Sequence, residues 1–166
     1  MRQRGFTLLE ILVVLAIVAI ASGLLLTRGG AGEERELAEQ ARRLYQSLEL
    51  ARDQALLQGR DHGLLIQHQG QGYGYAVWDE EQRDWRPLQR PPLGPHALGE
   101  ALRLTIRSEA GSGDHPAPEA GENRPVIWLL ANGEATPFRL GLTRPGQSRW
   151  YELGSDGGSH WLRERP

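Results

Sequence analysis

The sequence predicts an α+β fold in which one long N-terminal helix, half transmembrane and half amphipathic, packs on an antiparallel β-sheet domain. Three observations predict it. Residues 6–26 form a nearly unbroken apolar run. Residues 33–58 then repeat apolar positions at three- and four-residue steps, the period of one helix face. From Gly63 onward the pattern changes to alternation, punctuated by turn residues, as in strands of a half-buried sheet.

The chain begins Met1-Arg2-Gln3-Arg4-Gly5, basic and free of acid. The run FTLLEILVVLAIVAIASGLLL comes next at 6–26, with Glu10 as its one charge. About 20 apolar residues in a helix cross the hydrocarbon core of a bilayer. Arg2 and Arg4 then place the N-terminus in the cytoplasm and everything after residue 26 outside. Glu10 is the odd residue, because a carboxylate in such a segment costs a few kcal/mol unless it is paired or reaches the interface.

Gly29, Gly30 and Gly32 come directly after the run. Each weakens a helix by about 1 kcal/mol relative to Ala, which predicts a bend or a stretch that can unwind, or else a passive juxtamembrane linker. Helical periodicity resumes at Glu33, with Leu37, Ala41, Leu44, Leu48, Ala51 and Ala55 on one face. Gly59 is the expected stop, one position past the helix end. A helix continuous from Phe6 to Gln58 would run about 80 Å.

Candidate strands are 64–68, 73–78, 85–88, 102–107, 126–130, 138–142, 150–153 and 160–163. Asn132-Gly133 between two apolar runs predicts a hairpin. Residues 108–124 hold almost no large apolar side chain and read as a mobile loop. Trp78, Trp128, Phe138 and several leucines are the expected core. The organisation is therefore a leader at 1–5, a membrane helix at 6–26, its continuation at 27–59 and one β-rich domain at 60–166.

Composition narrows the function. A formal net charge of -2 argues against nucleic acid, whose binders carry a basic face. The absence of cysteine excludes disulfides, Cys-based metal sites and thiol nucleophiles. His62, His68, His96, His115 and His160 lack metal-ligand spacing. Ser155 in Leu153-Gly-Ser-Asp-Gly157 lacks the first glycine and the strand–helix context of a nucleophile elbow. The acidic group Asp79, Glu80, Glu81 and Asp84 could bind calcium, but its spacing is not that of an EF-hand loop, and a solvated turn is the better reading. No enzyme activity and no cofactor is expected.

The stretch Arg4-Gly5-Phe6-Thr7-Leu8-Leu9-Glu10, set directly before the apolar run, resembles the leader of type IV prepilins and pseudopilins. The resemblance implies that a membrane-embedded prepilin peptidase/N-methyltransferase cuts between Gly5 and Phe6 and methylates the new Phe6 amine. It implies further that Glu10 meets that amine on a neighbouring subunit and sets the axial register of packed helices. Such a pair would offset the burial of both charges. Loss of the leader takes two positive charges, leaving 17 basic against 21 acidic residues.

Two readings compete at the N-terminus. An ordinary secretory signal could be cleaved after Ala19-Ile20-Ala21, although Leu24, Leu25 and Leu26 stand where a polar region is expected. A plain signal anchor could let Glu10 snorkel to the interface, carrying a lone periplasmic enzyme or binding domain.

The later chain sharpens the resemblance. RPVIWLLANGEATPFRLGL at 124–142, Tyr75-Ala-Val-Trp78, Trp85-Arg-Pro-Leu88 and Leu93-Gly-Pro-His-Ala-Leu98 resemble the minor pseudopilin H (GspH) family of type II secretion. The stretch LELARDQAL at 48–56 is similar to the helix of that family and of FimT-like proteins. The resemblance implies a pilin-like fold and a structural subunit of the periplasmic pseudopilus that helps export folded proteins across the outer membrane. It also implies inner-membrane anchoring and contact with the major and other minor pseudopilins. The alternative is a FimT/FimU-like minor pilin of a type IV pilus.

Overall fold

The computed structural model describes residues 8–99, 101–106 and 124–166, without the side chains of residues 20–31. The expected loop at 108–124 lies outside them, save for Arg124. The chain divides into two units, Met1–Glu36 and Leu37–Pro166. One helix, α1 (Leu8–Gln58), carries residues of both. Its backbone stays helical through Gly29, Gly30 and Gly32, so the unwinding that these glycines allow is not seen. Among the described residues no helix is long and apolar enough to cross a membrane. The predicted span 6–26 includes Phe6 and Thr7, which lie outside those residues, and positions 20–26, whose side chains do too.

Helix α1 stops where expected. Gly59 takes a left-handed φ of 61°, and the Arg60 N–H donates to the Ala55 carbonyl at 3.2 Å. This is the Schellman closure, in which the backbone turns back over the last orphan carbonyls.

Among the described residues nine strands come after the helix, all paired antiparallel. The first sheet runs β3-β2-β1-β6, from β1 (His62–Gln67), β2 (Gly72–Asp79), β3 (Asp84–Pro87) and β6 (Ile127–Leu129); the two-residue β4 (His96–Ala97) also pairs with β2. The second sheet runs β5-β7-β8-β9, from β5 (Arg103–Ile106), β7 (Phe138–Thr143), β8 (Trp150–Ser155) and β9 (His160–Arg165). All eight predicted strands form, with ends shifted by a residue or two. Strand β4 and a short 3-10 turn at His68–Gly70 were not expected.

One core joins the helix to both sheets. The six stripe residues Leu37, Ala41, Leu44, Leu48, Ala51 and Ala55 are all buried. Five of them, all but Ala55, meet Leu64, Tyr73, Tyr75, Ile127 and Leu129 of the first sheet and Leu104, Leu140, Leu142 and Leu153 of the second in one cluster. Removal of this apolar surface from water is the main stabilising term, about 25 cal/mol per Å².

Two expectations need correction. The Asn132-Gly133 turn forms, with the Gly133 N–H donating to the Leu130 carbonyl at 2.9 Å. It closes a short antiparallel pairing, the Leu129–Ala135 bridge with the Leu130 N–H donating to the Glu134 carbonyl at 2.7 Å and the Thr136 N–H to the Trp128 carbonyl at 2.9 Å, which goes no further. Strands β6 and β7 belong to different sheets, so the chain crosses over and the turn closes no hairpin between them. The tryptophans also differ. Phe138 is buried, but Trp128 is 41% exposed and Trp78 is half-buried. Gly63, facing both Ala76 and Trp128 in register, shows why: Leu64, Tyr75 and Ile127 take the face toward the core, so Trp78, Trp85 and Trp128 fall on the opposite face. There they cluster, Trp78 edge-to-face with Trp85 (ring centroids 5.5 Å) and Trp85 tilted against Trp128 (5.9 Å).

Candidate functional site

The predicted assembly segment lies at the start of α1. Gly5 and Phe6 are outside the described residues. Glu10 is in the first turn of the helix and exposed. Around it Leu8, Leu9, Ile11, Leu12, Val13, Val14, Leu15, Ile17 and Val18 are all exposed. Within unit Met1–Glu36 this stretch is therefore apolar on every side. Such a helix is stable only when lipid or other helices cover it.

Several polar side chains of the β domain tie its elements together. Ser47 Oγ donates to the Leu44 carbonyl at 2.8 Å, and its other partner is Tyr75 Oη at 2.7 Å. The Ser47 proton is spent on the carbonyl, so Tyr75 donates to Ser47. Burial pushes the Tyr75 phenol well above its usual value. Sequence reasoning missed this bond, because Ser47 stands beside Leu48 on a stripe that reads as purely apolar.

Glu152 is a buried carboxylate on β8 that pattern alone did not single out. Arg165 of β9 grips its Oε2 through Nε (2.8 Å) and Nη2 (2.5 Å), and Arg139 of β7 stands 3.9 Å from Oε1. The pairing of Arg163 opposite Glu152 in the β8–β9 register puts Arg165 two residues further along. The link is thus diagonal across one face, within reach of a long side chain.

The histidines are dispersed among separate partners. His62 is buried, with Nδ1 3.0 Å from the Arg60 carbonyl, and burial lowers its pKa. His96 Nε2 meets Gln40 Oε1 at 2.9 Å. His160 Nδ1 meets Glu49 Oε1 at 2.5 Å, tying β9 to the helix. His115 lies outside the described residues. Among the described residues no three His, Asp or Glu side chains are grouped to hold a metal.

The acidic turn is organised by its own backbone. Asp79 Oδ1 accepts from the Glu81 and Gln82 N–H groups, each at 3.1 Å, and Asp84 Oδ1 accepts from the Trp85 N–H at 2.8 Å. The backbone bonds to Asp79 hold its carboxyl below the usual range. Ser155 Oγ accepts from the Gly157 N–H at 3.0 Å, a turn-closing contact.

The comparisons with known proteins agree with one another. The family model described as type II transport protein GspH matches residues 40–157. A second, the prokaryotic N-terminal methylation motif, matches residues 1–26. Type II secretion system protein H of Pseudomonas aeruginosa is 35% identical over 163 residues, covering 93% of this chain and 92% of its own. The protein of the same name from Dickeya chrysanthemi is 30% identical, covering 96% and 95%. Among solved structures, the minor pseudopilin EpsH of the Vibrio cholerae type 2 secretion system superposes with a TM-score of 0.61 at 25% identity, over 77% of this chain and 96% of that one. The solution structure of Escherichia coli GspH gives 0.58 at 26% identity, over 79% and 88%. The match is spread over the helix and both sheets and joined at the N-terminus by the methylation motif, and the chain belongs to the GspH family of type II secretion minor pseudopilins.

Proposed function

We propose that this chain enters the periplasmic pseudopilus through its N-terminal segment after cleavage between Gly5 and Phe6 and methylation of the Phe6 amine. The observation that carries the reading is the match of residues 1–26 to the methylation motif, together with an all-round apolar helix start interrupted only by Glu10. The prepilin peptidase/N-methyltransferase is the processing partner. Cleavage creates an α-amine with an ordinary pKa of about 8, cationic at neutral pH. Glu10 then pairs with the Phe6 amine of a neighbouring subunit, so that the helix registers against the helices of the major and other minor pseudopilins.

The anchor lies in the inner membrane with the N-terminus cytoplasmic and the β domain periplasmic. The role is structural. Catalysis, by this reading, belongs to the peptidase that processes the chain and not to the chain itself.

Intact mass and N-terminal sequencing of the membrane-purified protein test this directly. A chain beginning at Phe6 with one added methyl group is expected. A chain beginning at Ser22 would make the apolar run a cleaved secretory signal and overturn the assembly reading.

A further inference from the structure

The end of the β domain at which α1 terminates carries an unusual combination. Leu57 is 86% exposed and Leu56 46% exposed, in the last turn of a helix whose other face is fully buried. Three turns gather at the same end through hydrogen bonds. Arg52 donates to the Gly133 carbonyl (2.9 Å) and to the Gly158 carbonyl (2.8 Å). Asp61 Oδ1 accepts from the Ala131 N–H, and its carbonyl accepts from the Trp78 N–H, both at 2.8 Å. The Ala135 N–H reaches the Gly157 carbonyl at 2.9 Å.

Charge is concentrated there. Residues 52–61, 79–86, 130–134 and 155–159 hold eight carboxylates against four guanidiniums. That is an excess of four negative charges, the whole net charge of the chain once the leader with Arg2 and Arg4 is removed (17 basic against 21 acidic residues), so the rest of that chain is balanced. The last turn of α1 has no basic residue, so the negative end of the helix dipole adds to the field instead of being neutralised. Exposed leucines rimmed by charge are the pattern of a protein-binding surface. The sign of the rim selects the partner, since complementary potentials steer and register an encounter while like charges repel.

We propose that this end docks a neighbouring subunit of the pseudopilus through a face that is apolar at its centre and bears arginine or lysine at its rim. Leu57 supplies the apolar contact, and Glu80, Glu81 and Glu134, all exposed, supply the complementary charge. The inference rests on the assembly reading above and adds to it a surface and a partner chemistry.

The test uses the full chain in cells that carry the complete secretion apparatus. The photo-reactive amino acid p-benzoylphenylalanine replaces Leu57 in one strain and Val14, on the apolar helix, in another. The expected result is a Leu57-position adduct with another subunit of the apparatus. Its yield should fall at least tenfold with Glu80→Arg and Glu81→Arg, and return when the basic residue at the mapped cross-link is reversed to acid. Both positions are exposed turn residues, and an unchanged thermal midpoint shows that the fold is kept. An adduct indifferent to charge reversal, an adduct with a second copy of this chain alone, or adducts from position 14 but none from 57 would each overturn the docking proposal. Absence of adducts from both positions would take the assembly reading down with it.

Discussion

Removing the Ser47 hydroxyl should damage the domain more than removing the Tyr75 hydroxyl, although the two belong to one hydrogen bond. In Ser47→Ala the Tyr75 phenol, fully buried, loses its acceptor at 2.7 Å. A buried donor left unsatisfied costs about 1–3 kcal/mol. In Tyr75→Phe the ring stays in place, and Ser47 keeps its bond to the Leu44 carbonyl. Only the net worth of one bond is lost, about 0.5–1.5 kcal/mol. The double variant contains no orphan donor, so it should be no less stable than Tyr75→Phe alone. The coupling between the two sites is then about 1 kcal/mol or more, as contacting residues show. Thermal unfolding of the detergent-purified full chain would read this, at about 3–4 °C per kcal/mol for a chain of this size. Strict additivity, with the double variant losing the sum of the two singles, would refute the argument and mean that Tyr75 finds another partner when Ser47 is gone.

Three further outcomes rest on named contacts. Leu44 is fully buried between the helix and the sheets, so Leu44→Ala should lose about 2–5 kcal/mol in urea unfolding; a loss below about 1 kcal/mol would mean that the site collapses freely. Gly154 faces Trp161 across the β8–β9 pair, and a Cβ there would come within 2.2 Å of the indole ring. Gly154→Ala should therefore cost about 1–3 kcal/mol, and shrinking the ring with Trp161→Leu in the same chain should recover part of it. His62 is held neutral by burial, its pKa below the ordinary 6.5. The unfolded chain then takes up the proton first, so stability is full above about pH 6.5 and falls as pH drops below it. His62→Gln should flatten that acid slope, and an unaltered slope would assign it to other groups, such as His96, whose pKa is shifted the same way.

Much of the fold is legible in the chain because two periods dominate it. The stripe from Leu37 to Ala55 can be read residue by residue, since a helix has only one way to put those six side chains on one face. Strand ends drift because alternation says where side chains point and not where hydrogen bonding stops. Trp128 misleads for a specific reason. In Ile127-Trp128-Leu129 the aliphatic neighbours alternate with it, and alternation forces one of the two sets outward; bulk points to the tryptophan, while pairing with Gly63 decides for the aliphatics. Asn132-Gly133 is a true turn signal, but a turn says nothing about which sheet the next strand joins. At the N-terminus, Gly5, Phe6 and Glu10 stand out from motif order alone. The exposure of Leu57 does not, because a leucine at the end of a helix gives no hint of what it faces.

The alternation of the chain between its two sheets has a consequence for the order in which the domain can be completed. Strands β1 to β4 build the first sheet, β5 opens the second, β6 returns to the first, and β7 to β9 finish the second. A chain emerging N-terminus first would present β1 with a free edge until residues 127–129 arrive, and β5 with no partner until residues 138–143 are made. Free edges are templates for unwanted pairing. The last third of the chain therefore acts as a closing clasp, and truncations that stop short of β6 should leave a first sheet with an open edge and an unpaired β5 instead of a smaller folded domain; limited proteolysis of nascent-length fragments would show whether protection arrives only after residue 143.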